Sequence, residues 1–249
     1  MNALDDPTNG QYDGGNRLID GLPTTDRDTV VPHLTMMVAE EASSGISRGE
    51  PIVAAYFPVD AVFSVLVDFA GGDCYEADTI GREGVLGGEL LLGAGVASRS
   101  VICQVGGRFA QMPADAFQRC LSEAPSFRDA VQRALLLQWY RAQQSVACNF
   151  AHTQVERCAR WTLLTYDAIG RPDFPLRAEY LAMMLGVGTG VVAEPMRVLE
   201  AIGAIRFADG YVCVVSEHRL REAACECYAA PANYARRLEA GRSKSREAE

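Results

Sequence analysis

Residues 175–215, PLRAEYLAMMLGVGTGVVAEPMRVLEAIGAIRFADGYVCVV, constrain this chain more than any other segment, because helical spacing gives way to strand spacing across glycine-marked turns. Leu181, Met184 and Leu185 form one apolar stripe, Gly186 ends that helix, and Val192, Met196 and Leu199 form a second stripe. This is helix-turn-helix spacing. Asp209-Gly210, between Arg206 to Ala208 and Tyr211 to Val215, predicts a tight hairpin, since a two-residue turn needs positive φ and Gly accepts it. The segment reads as helix, turn, helix and a two-stranded wing.

The remaining chemistry is bounded mainly by what is missing. Lys244 is the only lysine, so the placed lysine of a P-loop, a Schiff-base enzyme or a protein kinase is not available. No G-x-S-x-G or HExxH pattern occurs, and His33, His152 and His218 are far apart in sequence, so no enzyme is expected. GVGTG at 186–190 is read as a turn, because Val191 stands where a dinucleotide fingerprint has its third Gly and a helix precedes it. The chain carries 49% apolar residues over 249, enough for two cores, with no run approaching the ~18 apolar residues of a membrane span. The N-terminus lacks the pattern of a secretory signal, so a cytoplasmic protein with reduced thiols is expected. The eight cysteines form no CxxC pair. Cys225-Glu226-Cys227 with His218 upstream is the one arrangement of metal-ligand type, and it is read as helix-packing thiols, with no metal.

Along the chain, residues 1–15 are rich in Asp, Asn and Gly and are expected to lack structure. Two short helices follow from Asn16. Short apolar runs punctuated by glycine from Met36 to Met112 predict a compact β-sandwich or barrel. Pro113 opens a short helix, and Pro125 a longer one running to about Asn149. In the longer helix Phe127, Val131, Leu135, Gln138, Ala142 and Val146 form one strip, and Leu136, Leu137 and Tyr140 another. Two strips predict two partners, the β-domain and a second copy of the helix, with the first strip taken as the dimer interface. A helix buried only within its own chain is the alternative.

With this order of elements, NRLIDGLP, GEPIVAAYFPVDAVFSVL, ERCARWTLLTYDAIG, LAMMLGV and REAACECY carry a resemblance over residues 16–238. The chain resembles the Crp/Fnr family of bacterial transcription regulators. The resemblance implies an α+β fold: an N-terminal double-stranded, jelly-roll-like β-roll of cyclic-nucleotide-binding type (16–124), a central dimerisation helix (125–150) and a C-terminal winged helix-turn-helix (151–230). A tail (231–249) follows. It also implies a homodimer, double-stranded DNA as partner and a small-molecule effector. Gly88, Glu89, Leu90, Arg99 and Ser100 match the family's phosphate-binding cassette in type and spacing, where turn N–H groups and an Arg fork cradle a cyclic phosphate. Ala142 and Gln143 fall where adenine-binding members present hydroxyls, which leaves the Gln143 amide to bond a base edge. A cyclic nucleotide, another effector, and an empty barrel closed by a Glu89–Arg99 ion pair all remain open. The first cysteine is Cys74, so no N-terminal iron–sulfur centre is implied.

The resemblance places DNA contacts at Arg177, Gly188, Thr189, Gly190, Val191, Glu194, Arg197 and Arg206. Members that read DNA carry arginines at the start of the second helix, since Arg donates two hydrogen bonds to guanine. Here a neutral residue and Glu194 replace two of these cations. Pro195 follows, predicting a loosened first turn over 190–194 and a shortened helix. Between His152 and Tyr228, eight arginines face ten acids, a net −2 that weakens attraction to phosphates. The rival expectation is a member that has lost sequence-specific DNA binding and acts by protein contact.

Overall fold

The computed structural model describes residues 10–246. β1 (Gly10–Gln11), α1 (Arg17–Asp20) and α2 (Thr24–Val30) lead into β2 (Thr35–Ala39), β3 (Ser44–Ile46), β4 (Ala54–Pro58), β5 (Val62–Asp68), β6 (Cys74–Ile80), β7 (Ser100–Val105) and β8 (Gly107–Pro113). Two antiparallel four-stranded sheets, ordered β1-β2-β8-β4 and β3-β7-β5-β6, face each other as a β-roll. Then come α3 (Ala114–Glu123), the long α4 (Pro125–Ala151), α5 (Gln154–Ile169), β9 (Asp173–Pro175), α6 (Ala178–Leu185), α7 (Ala193–Ala201), β10 (Ile205–Ala208), β11 (Tyr211–Val214), α8 (Glu217–Ala223) and α9 (Ala230–Arg246). Among the described residues no single helix is long and apolar enough to cross a membrane.

Strand periodicity of two explains the layering. In β4 every residue is buried, yet Ala55 and Phe57 join the core beneath the helices, whereas Ala54 and Tyr56 join the core inside the roll. Phe57, Phe117 of α3 and Phe127 of α4 then meet with ring centroids 5.6–6.4 Å apart. A third core, around Trp161, Phe174, Leu181 and Leu199, takes in Val62 and Val105 of the roll, so the two halves share apolar packing.

Residues 10–15 are ordered, contrary to expectation. β1 pairs with β2, and the buried Tyr12 donates its hydroxyl to Asp20 at 2.9 Å. Composition missed this because one anchoring aromatic among polar residues suffices. Residues 1–9 lie outside the described residues. The Asn16 side chain is completely buried and satisfied: its oxygen accepts from the backbone of Leu18 and Ile19, and its amide donates to the carbonyls of Pro58 and Gly84. The stretch expected to be a polar tail is largely the helix α9, whose Tyr234 stacks on Tyr140 of α4 at 4.5 Å.

α4 has three working faces rather than two. Phe127 and Val131 are fully buried in their own chain, Leu135 packs against Gly88, and Gln138 donates to the Val85 carbonyl at 2.8 Å, so most of the expected dimer strip is occupied by the roll. Ala142 is half-buried. Arg141 continues this inward side with a two-pronged bond to Asp78, 2.9 Å at each contact. A second row, Tyr140, Gln144, Cys148 and His152 at steps of four, meets the chain after α8. The third row is Leu136, Trp139, Gln143, Val146 and Phe150. There Trp139, Val146 and Phe150 are 63%, 62% and 91% exposed, and Leu136 is half-buried.

Candidate nucleic-acid interface and phosphate cassette

α6 ends at Gly186, with φ +61°, and the segment Thr189–Ala201 turns 98° from it. Such a turn is the angle a helix-turn-helix needs. Leu181, Leu185, Val192, Met196 and Leu199 are buried in one core, which leaves Ala193, Glu194, Arg197, Val198 and Ala201 along the outer face of α7. Thr189–Val191 form a 3-10 turn before α7. Pro195 is the third residue of α7, where its missing N–H has no intrahelical partner to lose, so the helix starts two residues earlier than a start at Pro195 itself.

Gly188, Thr189, Gly190, Val191, Glu194, Arg197 and Arg206 are all exposed or half-exposed on or beside this unit. Arg197 and Arg206 have no hydrogen-bond or ion-pair partner among the described residues. Arg177 differs: it stands before α6 with its guanidinium over the Tyr180 ring and 3.9 Å from Glu41 of the roll. The wing turns at Asp209-Gly210, with φ +53° and +77°, and pairs Ala208 with Tyr211. β9 adds a third strand that the sequence pattern did not reveal. Arg157 of α5 is buried and donates to the Leu185 carbonyl, fixing the end of α6.

The cassette sits between β6 and β7. Gly87 has φ +72°, and a Cβ there would lie 2.6 Å from the Ala54 carbonyl, so only glycine fits. Gly88, Glu89 and Leu90 follow as a 3-10 turn whose Leu90 carbonyl accepts from Gln118 at 2.6 Å. Arg99 is exposed and donates to the Ser98 carbonyl at 2.9 Å. It makes no bond to Glu89 among the described residues, which removes the ion pair considered as a closure of an empty barrel. Ser100 donates to the Asp68 carboxylate at 2.7 Å, placing an anion where a cyclic phosphate would need a donor. Gln143 lies on the outer row of α4, exposed, and Gln138 is the glutamine that reaches the cassette segment. A cavity of about 340 Å³ opens on the roll beside the cassette, lined by Ile46, Ser47, Glu50, Ile52 and Tyr56, of which Ile52 donates its N–H to the Gly95 carbonyl and Tyr56 to that of Leu86.

Glu76, Asp78, Arg141, Arg160 and Trp161 line a small polar cavity of about 30 Å³ between the roll and α4–α5. Ser64 and Thr79 both donate to Glu76. Burial outweighs those bonds and, with Asp78 nearby, pushes the Glu76 carboxyl up to about 8. The sequence gives no sign of this cluster, because its members come from separate elements.

Neither a family model nor a curated protein matches the chain. Solved structures do. FixK2 from Bradyrhizobium japonicum superposes with a TM-score of 0.65 at 12% identity, over 77% of this chain and 98% of that one. TTHB099, a CRP-family transcriptional regulator from Thermus thermophilus, gives 0.62 at 19% over 75% and 95%. CLP, described as a c-di-GMP responsive global regulator of Xanthomonas campestris, gives 0.61 at 13% over 78% and 100%. The roll, the long helix and the winged helix therefore assemble here in the fold of the Crp/Fnr transcription regulators.

Proposed function

We propose that this chain is a homodimeric transcription regulator that binds double-stranded DNA through α7 and the β10–β11 wing. The observation that carries the reading is the open outer face of α7, where Arg197, with Arg206 on the wing, offers cations that no other described residue engages. An arginine free of protein partners is available to a phosphate or a guanine edge. The outer row of α4 supplies the surface for a second copy. Among the solved neighbours that share this architecture, TTHB099 is described as a transcriptional regulator and CLP as a global regulator.

Effector control through the roll is a second reading. It is favoured by the contact between Gly88 and Leu135, since anything that moves the cassette turn presses on the helix joining the two halves. The Ser100–Asp68 bond disfavours a cyclic phosphate there. Glu194 on the outer face of α7 supports the rival in which DNA affinity is low and partners are proteins.

Fluorescence anisotropy on genomic DNA fragments over stepped salt separates these readings. Log affinity is expected to fall linearly with log salt, and Arg197→Ala to flatten the slope by about 1. Thr189→Arg with Glu194→Arg should steepen it by about 0.9 for each further phosphate neutralised. Absence of salt-dependent binding by wild type at low ionic strength, with no improvement in the arginine variant, overturns the DNA reading.

A further inference from the structure

The second row of α4 ends in a cluster that DNA binding does not use. Cys148 in the last turn of α4 and His152 just past its end, four residues apart, face Cys225 and Cys227 from the turn that follows α8. All four donor atoms lie within 4.8 Å of one another. The sulfurs of Cys148 and Cys225 are 3.5 Å apart, and Cys227 Sγ is 3.6 Å from His152 Nδ1. A tetrahedral zinc with bonds of about 2.3 Å to sulfur and 2.0 Å to nitrogen sets its ligand atoms about 3.5–3.8 Å apart. We propose that Cys148, His152, Cys225 and Cys227 form a zinc site of Cys3His type that ties the end of α4 to the winged-helix half.

Three independent features support it. The far nitrogen of His152, Nε2, lies 3.1 Å from the Glu226 carboxylate, which holds the proton there and leaves the Nδ1 lone pair for a metal. Gln144 donates to Cys227 Sγ at 3.0 Å, a bond a thiolate accepts well. Three thiolates around a dication leave one negative charge, and the Arg160 guanidinium of α5 reaches α4 at Ser145, 3.4 Å away and three residues before Cys148. Helix-packing thiols do not account for the arrangement, because Cys148, Cys225 and Cys227 form a buried cluster with no other apolar member. A Cys148–Cys225 disulfide would leave Cys227 and His152 unexplained. His218, the partner suggested by sequence, is instead exposed and paired with Glu222 at 3.3 Å.

The test is made on the full chain, untagged and purified under reducing, anaerobic conditions. Elemental analysis should find one zinc per chain. Cobalt(II) added to the metal-stripped protein should give thiolate charge-transfer absorption and the visible bands of a tetrahedral site. Cys225→Ser and His152→Ala should lower cobalt affinity at least about tenfold, and Glu226→Gln about tenfold through the histidine it orients. Cys158→Ser, a buried thiol in another core, should leave both readouts unchanged. The wild-type cobalt spectrum carries the result even if a variant fails to fold. A reduced wild-type chain that binds neither metal stoichiometrically, or equal affinity in wild type and a folded Cys225→Ser variant, overturns the proposal.

Discussion

Replacing Trp139 by alanine tests dimerisation through the outer row of α4. An aromatic side chain offers roughly 150–250 Å² for burial, and Trp139 is 63% exposed in the single chain. About 100–150 Å² of each copy is thus open to a partner, worth ~3 kcal/mol at ~25 cal/mol per Å². A twofold interface contains two copies, which gives ~6 kcal/mol as a ceiling. Halving this for incomplete cover leaves ~3 kcal/mol, or a dimer Kd weakened about 100-fold. Sedimentation equilibrium across a dilution series reads that shift directly. Melting of the monomer should barely respond, because the side chain contributes little to its own core. Leu135→Ala should do the reverse: a lower Tm from the loss of packing on Gly88, with dimer affinity nearly intact. An unchanged Kd for Trp139→Ala, together with dissociation by Leu135→Ala, would refute the face assignment.

Glu76 predicts a pH-dependent stability. Its carboxyl is held protonated up to about 8 in the folded chain, against 4.5 ordinarily, so the unfolded state loses its proton first and stability falls as pH rises through that window. Glu76→Gln should abolish this component and raise Tm at pH 9 by ~5 °C, with little change at pH 4, measured by calorimetry. For the cassette, titration calorimetry with cyclic mononucleotides and cyclic dinucleotides is expected to show no binding to wild type, because Asp68 occupies Ser100. Heat that disappears in Arg99→Leu would restore the phosphate reading.

The winged helix was legible because its signals are local. Gly186, the stripe from Leu181 to Leu199 and Asp209-Gly210 each act within a few residues, and each lies where the pattern put it. Pro195 was legible as a disturbance of the helix start, although its exact place in the first turn depended on the 3-10 turn before it. The faces of α4 were not legible, since apolar periodicity shows how many sides a helix buries but not which side meets which partner. Arg141 and Gln138 face inward as polar residues, because Asp78 and the Val85 carbonyl wait for them. The cysteine cluster was hidden for the same reason: His152 lies 73 positions from Cys225, whereas His218, much nearer in sequence, points elsewhere.

The three rows of α4 also dictate which insertions and deletions its gene can tolerate. One added residue near Gln138 would rotate everything downstream by about 100° and advance it ~1.5 Å. Tyr140, Gln144, Cys148 and His152 would turn together with Tyr234 and the Cys225 turn, which also lie downstream, but Arg141 would swing away from Asp78 and the winged half away from Val62 and Val105 of the roll, in a single step. Seven added residues restore the angle to within about 20°, but they displace the winged half by about 10 Å along the axis. The helix therefore acts as a ruler with one permitted length, and variation among natural homologues should gather in the loops at Gly71-Gly72 and Gly93 to Gly95, leaving α4 ungapped.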